Sequence, residues 1–270
     1  MRKIVSFFVL VAFIFSCIAP PQAFAQGVAD MGFMPAPGVR VSLSPAFTPS
    51  HLQGVTLNLE NPLQFDFLIN KGDEELSLEA KKEAYQKLIK YFLASLTVPD
   101  EDQWVNLSPY ENNRIIQERF GMTEMGRDLL GQDYLLKQLT ASLVYPEDEL
   151  GKKFWDRVYQ KAKEAFGTTD IPANTFNKVW IMPDEAVVLE QGNTALILKS
   201  HLKVMLDQDY FSLEHNSTSI QDGSEGMTEQ DVSAASKLSS DIMREIVIPE
   251  IEKEVNEGRN FALLRQMYSG

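Results

Sequence analysis

Asn177-Lys178-Val179-Trp180-Ile181-Met182-Pro183-Asp184-Glu185-Ala186-Val187-Val188-Leu189-Glu190-Gln191-Gly192-Asn193-Thr194-Ala195-Leu196-Ile197-Leu198-Lys199-Ser200-His201-Leu202-Lys203-Val204-Met205-Leu206 is the stretch that decides the fold class. Its side chains alternate with a period of two and are rich in β-branched and aromatic residues, the pattern of strands with distinct faces. The reading divides it into three strands, Asn177–Met182, Ala186–Glu190 and Thr194 to about Leu206. Pro183-Asp184 and Gly192-Asn193 are the expected turns, because proline fixes φ and glycine accepts φ > 0. Leu202, Val204 and Leu206 extend the last strand beyond its partner, and a helical reading of that tail stays open.

Upstream, a second strand pattern precedes a helical one. Val55, Leu57 and Leu59 alternate with polar residues, Asn61-Pro62 interrupts, and Phe65, Phe67 and Ile69 alternate again, which predicts a hairpin with one buried face. From Ser77 to about Leu96 the apolar positions Ala80, Ala84 and Leu88, with Tyr91 or Phe92, fall on one helical face. Ser108-Pro109-Tyr110-Glu111 has the cap, first-turn proline and glutamate of a helix start, with a stop at Gly121. Met125, Leu129, Leu136, Leu139 and Leu143 mark a central helix from about Thr123, and Leu130, Tyr134 and Leu135 broaden its apolar face. Glu147-Asp148-Glu149 opens another helix through Leu150, Phe154, Val158 and Ala162 to Gly167.

The C-terminal part reads as helix again. Asn216–Thr228 is a polar surface loop, and residues 216–228 are expected to be mobile. A long helix from near Glu229 carries Val232, Leu238, Ile242, Ile246, Ile251 and Val255 inward, with a kink at Pro249 where the ring removes the bond to Glu245. Asn260 is the expected cap of a final segment, Phe261–Tyr268, too short to persist without docking. Together these elements predict an α+β fold: a mainly helical domain at 51–270 with a small antiparallel sheet, made of the N-terminal hairpin and a three-stranded meander, and a kinked C-terminal helix.

The first 25 residues read as an export signal. Arg2 and Lys3 form the positive end, the apolar run from Ile4 to Ala19 forms the membrane-seeking helix, and Pro20-Pro21 ends it. Ala23 and Ala25 supply the small side chains of a peptidase site, so cleavage is expected after Ala25, leaving Gln26 first. The run is shorter than the roughly 20 residues of a membrane crossing, which disfavours a permanent anchor, and no stable span is expected after cleavage. A lipid anchor at Cys17 is the other alternative, and bulky Phe15 argues against it. Residues 26–50, with Pro35, Pro37, Pro45 and Pro49, are an extended leader expected to clip onto the domain around Val39–Leu43. The expected location is the periplasm or the extracellular space.

Composition limits the chemistry. The formal net charge is −13 and loss of Arg2 and Lys3 makes it more negative, which opposes binding to phosphate backbones, so no nucleic-acid partner is expected. The single cysteine, Cys17, lies in the export segment, so the mature chain has neither disulfide nor thiolate chemistry, which suits a bacterial envelope compartment. No nucleophile elbow, phosphate loop or paired-histidine zinc helix is present. Gly223-Ser224-Glu225-Gly226 lacks the strand before it and reads as loop.

Several weaker signals remain. His51, His201 and His215 are the only histidines, and His201 lies ahead of Asp207 and Asp209, where imidazole and carboxylates could converge on a metal; the simpler reading is a half-exposed strand histidine before an acidic turn. Asp100-Glu101-Asp102 lacks the ligand alternation and turn glycine of a calcium loop. Trp104, Trp155 and Trp180, with Phe176 and Tyr110, could line a groove, although spacing favours packing. No catalytic residue, metal ligand or cofactor is assigned.

Asn106-Leu107-Ser108-Pro109-Tyr110-Glu111, Thr123-Glu124-Met125-Gly126-Arg127-Asp128-Leu129-Leu130 running into Asp133–Leu143, and Asn174–Ile181 resemble an uncharacterised family of exported proteins from Omnitrophica-type candidate-phylum bacteria. The resemblance extends to Leu202-Lys203-Val204-Met205-Leu206 and Arg244-Glu245-Ile246-Val247-Ile248-Pro249-Glu250 and covers most of the mature chain. It implies export and no known activity. Members of that family continue past the equivalent of Asn260–Tyr268, so the resemblance also implies a truncated product or short paralogue with part of the C-terminal helix exposed. The expected function is non-enzymatic, through contacts with an unidentified protein of the envelope or extracellular space. The alternative is a carboxylate- or metal-dependent hydrolase acting on envelope polymers.

Overall fold

A computed structural model describes residues 35–61, 63–97, 105, 118–167, 169, 178–209 and 237–270. Outside these lie the expected export signal with Ala23, Ala25 and Gln26, Cys17, Asp100–Asp102, Trp104, Tyr110, most of the helix expected from Ser108, Phe176, His215, the loop expected at 216–228 and the expected start of the long helix near Glu229. The elements run β1 (His51–Leu57), β2 (Phe65–Asn70), α1 (Leu78–Ser95), a single turn α2 (Glu118–Gly121), α3 (Glu124–Leu143), α4 (Glu149–Phe166), β3 (Val179–Gln191), β4 (Thr194–Leu206), a π-helical turn (Met243–Val247), α5 (Ile248–Glu257) and α6 (Ala262–Tyr268). This is an α+β fold.

The helices start and stop where local chemistry satisfies their ends. Ser77 Oγ accepts the Ala80 N–H at 3.3 Å before α1, and Thr123 Oγ1 accepts the Gly126 N–H at 3.0 Å before α3. At α4 the Asp148 side chain makes no cap bond; it pairs instead with Arg40 at 2.8 Å. Gly167 ends α4 at φ 70°, a left-handed conformation that costs a residue with a Cβ. The expected kink at Pro249 takes the form of a widened turn in which the Ile248 N–H bonds Met243 O, five residues back.

The small antiparallel sheet is present, but the expected three-stranded meander is a long two-stranded hairpin. All strands join one antiparallel sheet of order β2-β1-β4-β3, with Val55 opposite Ala195 and Val188 opposite Ile197. Pro183-Asp184 is not a turn. β3 runs straight through it, with a register shift between Pro183 and Glu185. Proline is tolerated here because β3 is an edge strand and a bulge needs no regular ladder. Gly192-Asn193 is the turn, with Gly192 at φ 64°.

One core joins the layers. Leu88 and Tyr91 of α1, Leu136 and Leu139 of α3, Phe154 and Val158 of α4, Ile181 and Leu206 of the sheet and Ile251 of α5 are all buried in it. The final segment docks, as its short length requires, and is central instead of partly exposed as the family resemblance implied: Phe261 and Leu264 are 0% exposed and Met267 is buried beside them. Burying such side chains stabilises by roughly 1.5–3 kcal/mol each, which is why α6 holds at seven residues. Asn260 does not cap it: Phe261 holds the cap position without a side-chain cap bond, and the Asn260 Nδ2 donates to Ser42 O in the leader at 2.9 Å.

The leader clips on as expected and further along. Val41 N–H donates to Ser142 Oγ, Ala46 forms a bridge with Gly258, and Phe47 N–H donates to Glu257 O at 2.8 Å. Buried Glu254 accepts the Ser44 N–H at 2.8 Å on one oxygen and the Ser44 hydroxyl on the other. No described helix is long and apolar enough to cross a membrane.

Candidate functional site

The two flanks of the long β3–β4 hairpin are treated differently. On the β4 flank, β1 pairs only with Thr194–Leu196, and further along the open backbone is covered by side chains from α5. Asn256 Oδ1 accepts the Leu202 N–H at 2.9 Å while its Nδ2 donates to Leu202 O at 2.8 Å, so one amide stands in for a neighbouring strand. Glu252 Oε2 accepts the Val204 N–H at 3.0 Å. On the β3 flank, Val105 pairs with Ile181 at the buried base. Beyond it, residues 183–191 form an edge with no strand partner on the outer side among the described residues.

That outer half of the hairpin is also wet on both faces. Val187, Val188, Leu189 and Leu198 are 39%, 47%, 46% and 60% exposed. The register places Leu68, Gly54, Leu196 and Leu189 in one row across the four strands. Phe67, Val55, Ala195 and Glu190 form the row on the opposite face, where Phe65 and Phe67 pack edge-on against Phe92 of α1 at 5.5 and 5.2 Å. The first row therefore belongs to the face turned away from that cluster. The turn at its tip is held by Leu57 N–H to Asn193 O at 2.8 Å and by the Thr56 and Thr194 hydroxyls at 2.9 Å.

A second feature is a cleft of about 360 Å³ where the leader, β4 and the C-terminal helices meet. His51, His201, Glu257, Arg265 and Tyr268 line it. Arg265 donates to Val255 O at 2.7 Å and Phe47 O at 2.6 Å, and burial pulls its pKa down to about 10 against the pull of Glu254 and Glu257. Burial raises the pKa of the Tyr268 phenol, so it stays a neutral hydroxyl. His51 Nδ1 lies 2.9 Å from Pro49 O, which can only accept, so the proton sits on Nδ1.

His201 is the part-exposed strand histidine of the simpler reading and does not meet Asp207 or Asp209. Strand residues rise about 3.3 Å each, so positions six apart lie about 20 Å apart along β4. His201 faces Asp184 at 3.3 Å and Glu252 at 3.6 Å instead. Asp207 accepts the Trp180 indole N–H at 2.8 Å, and Asp209 pairs with Arg244 at 2.7 Å. Among the described residues no group of three or more His, Cys, Asp or Glu side chains is placed to hold a metal ion. Trp180 is a core residue, and Trp155 donates to Val144 O while stacking on Tyr159 at 5.7 Å. The cleft carries no sequence signal, since its lining comes from three distant segments: His51 from one, His201 from another, and Glu257, Arg265 and Tyr268 from the third.

Comparisons with protein-family models, curated proteins and solved structures gave no match.

Proposed function

We propose that this is an exported, non-enzymatic protein of the bacterial envelope or extracellular space that works by receiving an extended segment of a partner protein on the open edge of β3. The observation that supports it most is the exposed run Ala186–Leu189 on an edge strand, on the same hairpin whose other edge is covered by Asn256 and Glu252. An unprotected apolar edge offers backbone donors and acceptors for β-addition, with alternate side chains providing selectivity.

Charge favours a foreign strand over a second copy of this chain. In antiparallel self-pairing, the register matching Val187 with Val188 and Ala186 with Leu189 sets Glu185 opposite Glu190 at both ends. Like charges directly opposite destabilise a ladder. The matching occupant has a short apolar centre and basic flanks that face Glu185 and Glu190, on a chain of net charge −13.

The hydrolase alternative finds less support. Both ring nitrogens of His201 face carboxylates, at 3.3 and 3.6 Å, leaving none directed at a hydroxyl or water to activate. A direct test uses a nine-residue peptide of alternating valine and threonine with a lysine at each end. It should bind the purified chain, slow amide exchange within 183–191, and lose at least tenfold in affinity when Val187→Lys and Leu189→Lys are combined. Exchange slowed elsewhere, or affinity indifferent to the double substitution, would remove this reading. Recovery of the intact chain only from the cytosol would remove the export part.

A further inference from the structure

The cleft between leader, β4 and the C-terminal helices is lined by two residues of opposite charge, Arg265 and Glu257, and neither forms an ion pair among the described residues. The Arg265 guanidinium has five N–H donors, and its two hydrogen bonds to protein go to neutral carbonyls of Val255 and Phe47. It has no ion pair among the described residues, and neither does Glu257, which lines the same cleft. The nearby buried Glu254 is already committed, one oxygen to the Ser44 N–H and the other to the Ser44 hydroxyl. The Arg265 and Glu257 charges thus attract each other within the cleft without forming an ion pair.

A ligand complementary to that arrangement carries both charges itself. At about 360 Å³ the cleft sits near the lower end of the roughly 300–1,000 Å³ typical of small-molecule sites. We infer that it binds a small zwitterion, a free amino acid or a dipeptide, with its carboxylate on Arg265 and its ammonium on Glu257. The Tyr268 hydroxyl and His51 Nε2, the ring nitrogen left over by the Pro49 contact, supply the neutral polar contacts. The guanidinium suits a carboxylate because its planar donors match the two oxygens. Its bonds to two backbone carbonyls fix the side chain before a ligand arrives, so little ordering remains at binding. The inference is independent of the β3 edge, which lies on another part of the sheet.

Calorimetry on the full chain tests this with four probes: L-alanine, L-alanyl-L-alanine, N-acetyl-L-alanine and L-alaninamide. Saturable binding of either zwitterion is expected, and the dipeptide arm tells a peptide from a free amino acid. The acetylated probe lacks the ammonium and the amide lacks the carboxylate, so each should bind about tenfold or more weakly. Glu257→Gln, at an exposed position, should leave the melting temperature unchanged, weaken alanine about tenfold and leave N-acetylalanine unaffected. Tyr268→Phe should weaken all carboxylate probes alike. No saturable binding of either zwitterion below about 10 mM, or an acetylated probe that binds as well as alanine, overturns the inference. So does alanine binding indifferent to Glu257→Gln.

Discussion

Asn256 gives the sharpest test of how the sheet is held. Its amide makes three hydrogen bonds: Oδ1 with the Leu202 N–H at 2.9 Å, and Nδ2 with Leu202 O at 2.8 Å and Glu252 O at 2.9 Å. Leu202 is buried, so water cannot simply replace the lost partners. Asn256→Ala leaves a buried donor and a buried acceptor unmet. Each costs about 1–3 kcal/mol, and partial relaxation brings the expected total to about 2–4 kcal/mol. For a chain of this size that corresponds to a melting temperature lower by about 5–15 °C. Asn256→Asp should be worse at neutral pH, because it turns a carboxylate oxygen toward the two carbonyls that Nδ2 serves. Urea denaturation followed by circular dichroism measures the loss, and exchange of the Leu202 amide locates it. A change below about 0.5 kcal/mol for Asn256→Ala would show that the amide does not substitute for a strand.

Other consequences are as direct. Glu254→Gln replaces one acceptor oxygen with a donor facing Ser44, so about 2 kcal/mol of stability should be lost and limited proteolysis should cut within 42–47 before anywhere else in the domain. Tyr91 and Tyr268 both have pKa values raised by burial, with the Asp128 contact adding to the effect at Tyr91. Native tyrosines held protonated lose their advantage as pH climbs above about 10, where unfolded tyrosine ionises, so stability should fall there. Arg265 opposes this with the reverse sign: burial holds its folded value near 10, well below that of the unfolded chain, so its burial penalty eases over the same interval. Denaturation midpoints from pH 8 to 11 read the sum, and Tyr268→Phe should flatten the decline; a midpoint rising over that range contradicts it. Gly192→Ala, at φ 64°, should cost about 1 kcal/mol by strain alone.

Much of the helical layer was readable because its signals are local. Ser77 and Thr123 lie within one turn of the N–H groups they cap, and Phe154, Val158 and Ala162 repeat at the spacing that buries one face of α4. The sheet was harder, since proline followed by aspartate describes a turn as well as a bulge on an edge strand, and only the register of β4 decides between them. Nothing in Val55 announces Ala195 as a neighbour, because the pairing arises from packing and not from adjacent sequence. Asn260 shows a related limit: an amide just before a helix reads as its cap, but the helix begins one residue later, after Phe261, and the Asn260 amide ties down the distant Ser42 carbonyl instead. The cleft was invisible for the same cause, its lining being drawn from positions near 50, 200 and 265.

The tie between Ser44 and Glu254 spans 210 residues of sequence. A chain emerging from its N-terminus can form α1, α3 and the long hairpin, yet Phe261 and Leu264, which fill the middle, are made well after the hairpin. Until then the interior lacks its plug and the early strap has nothing to grip. Completion of the core thus waits for residues far downstream of the hairpin, and the polypeptide stays loose until they have been made.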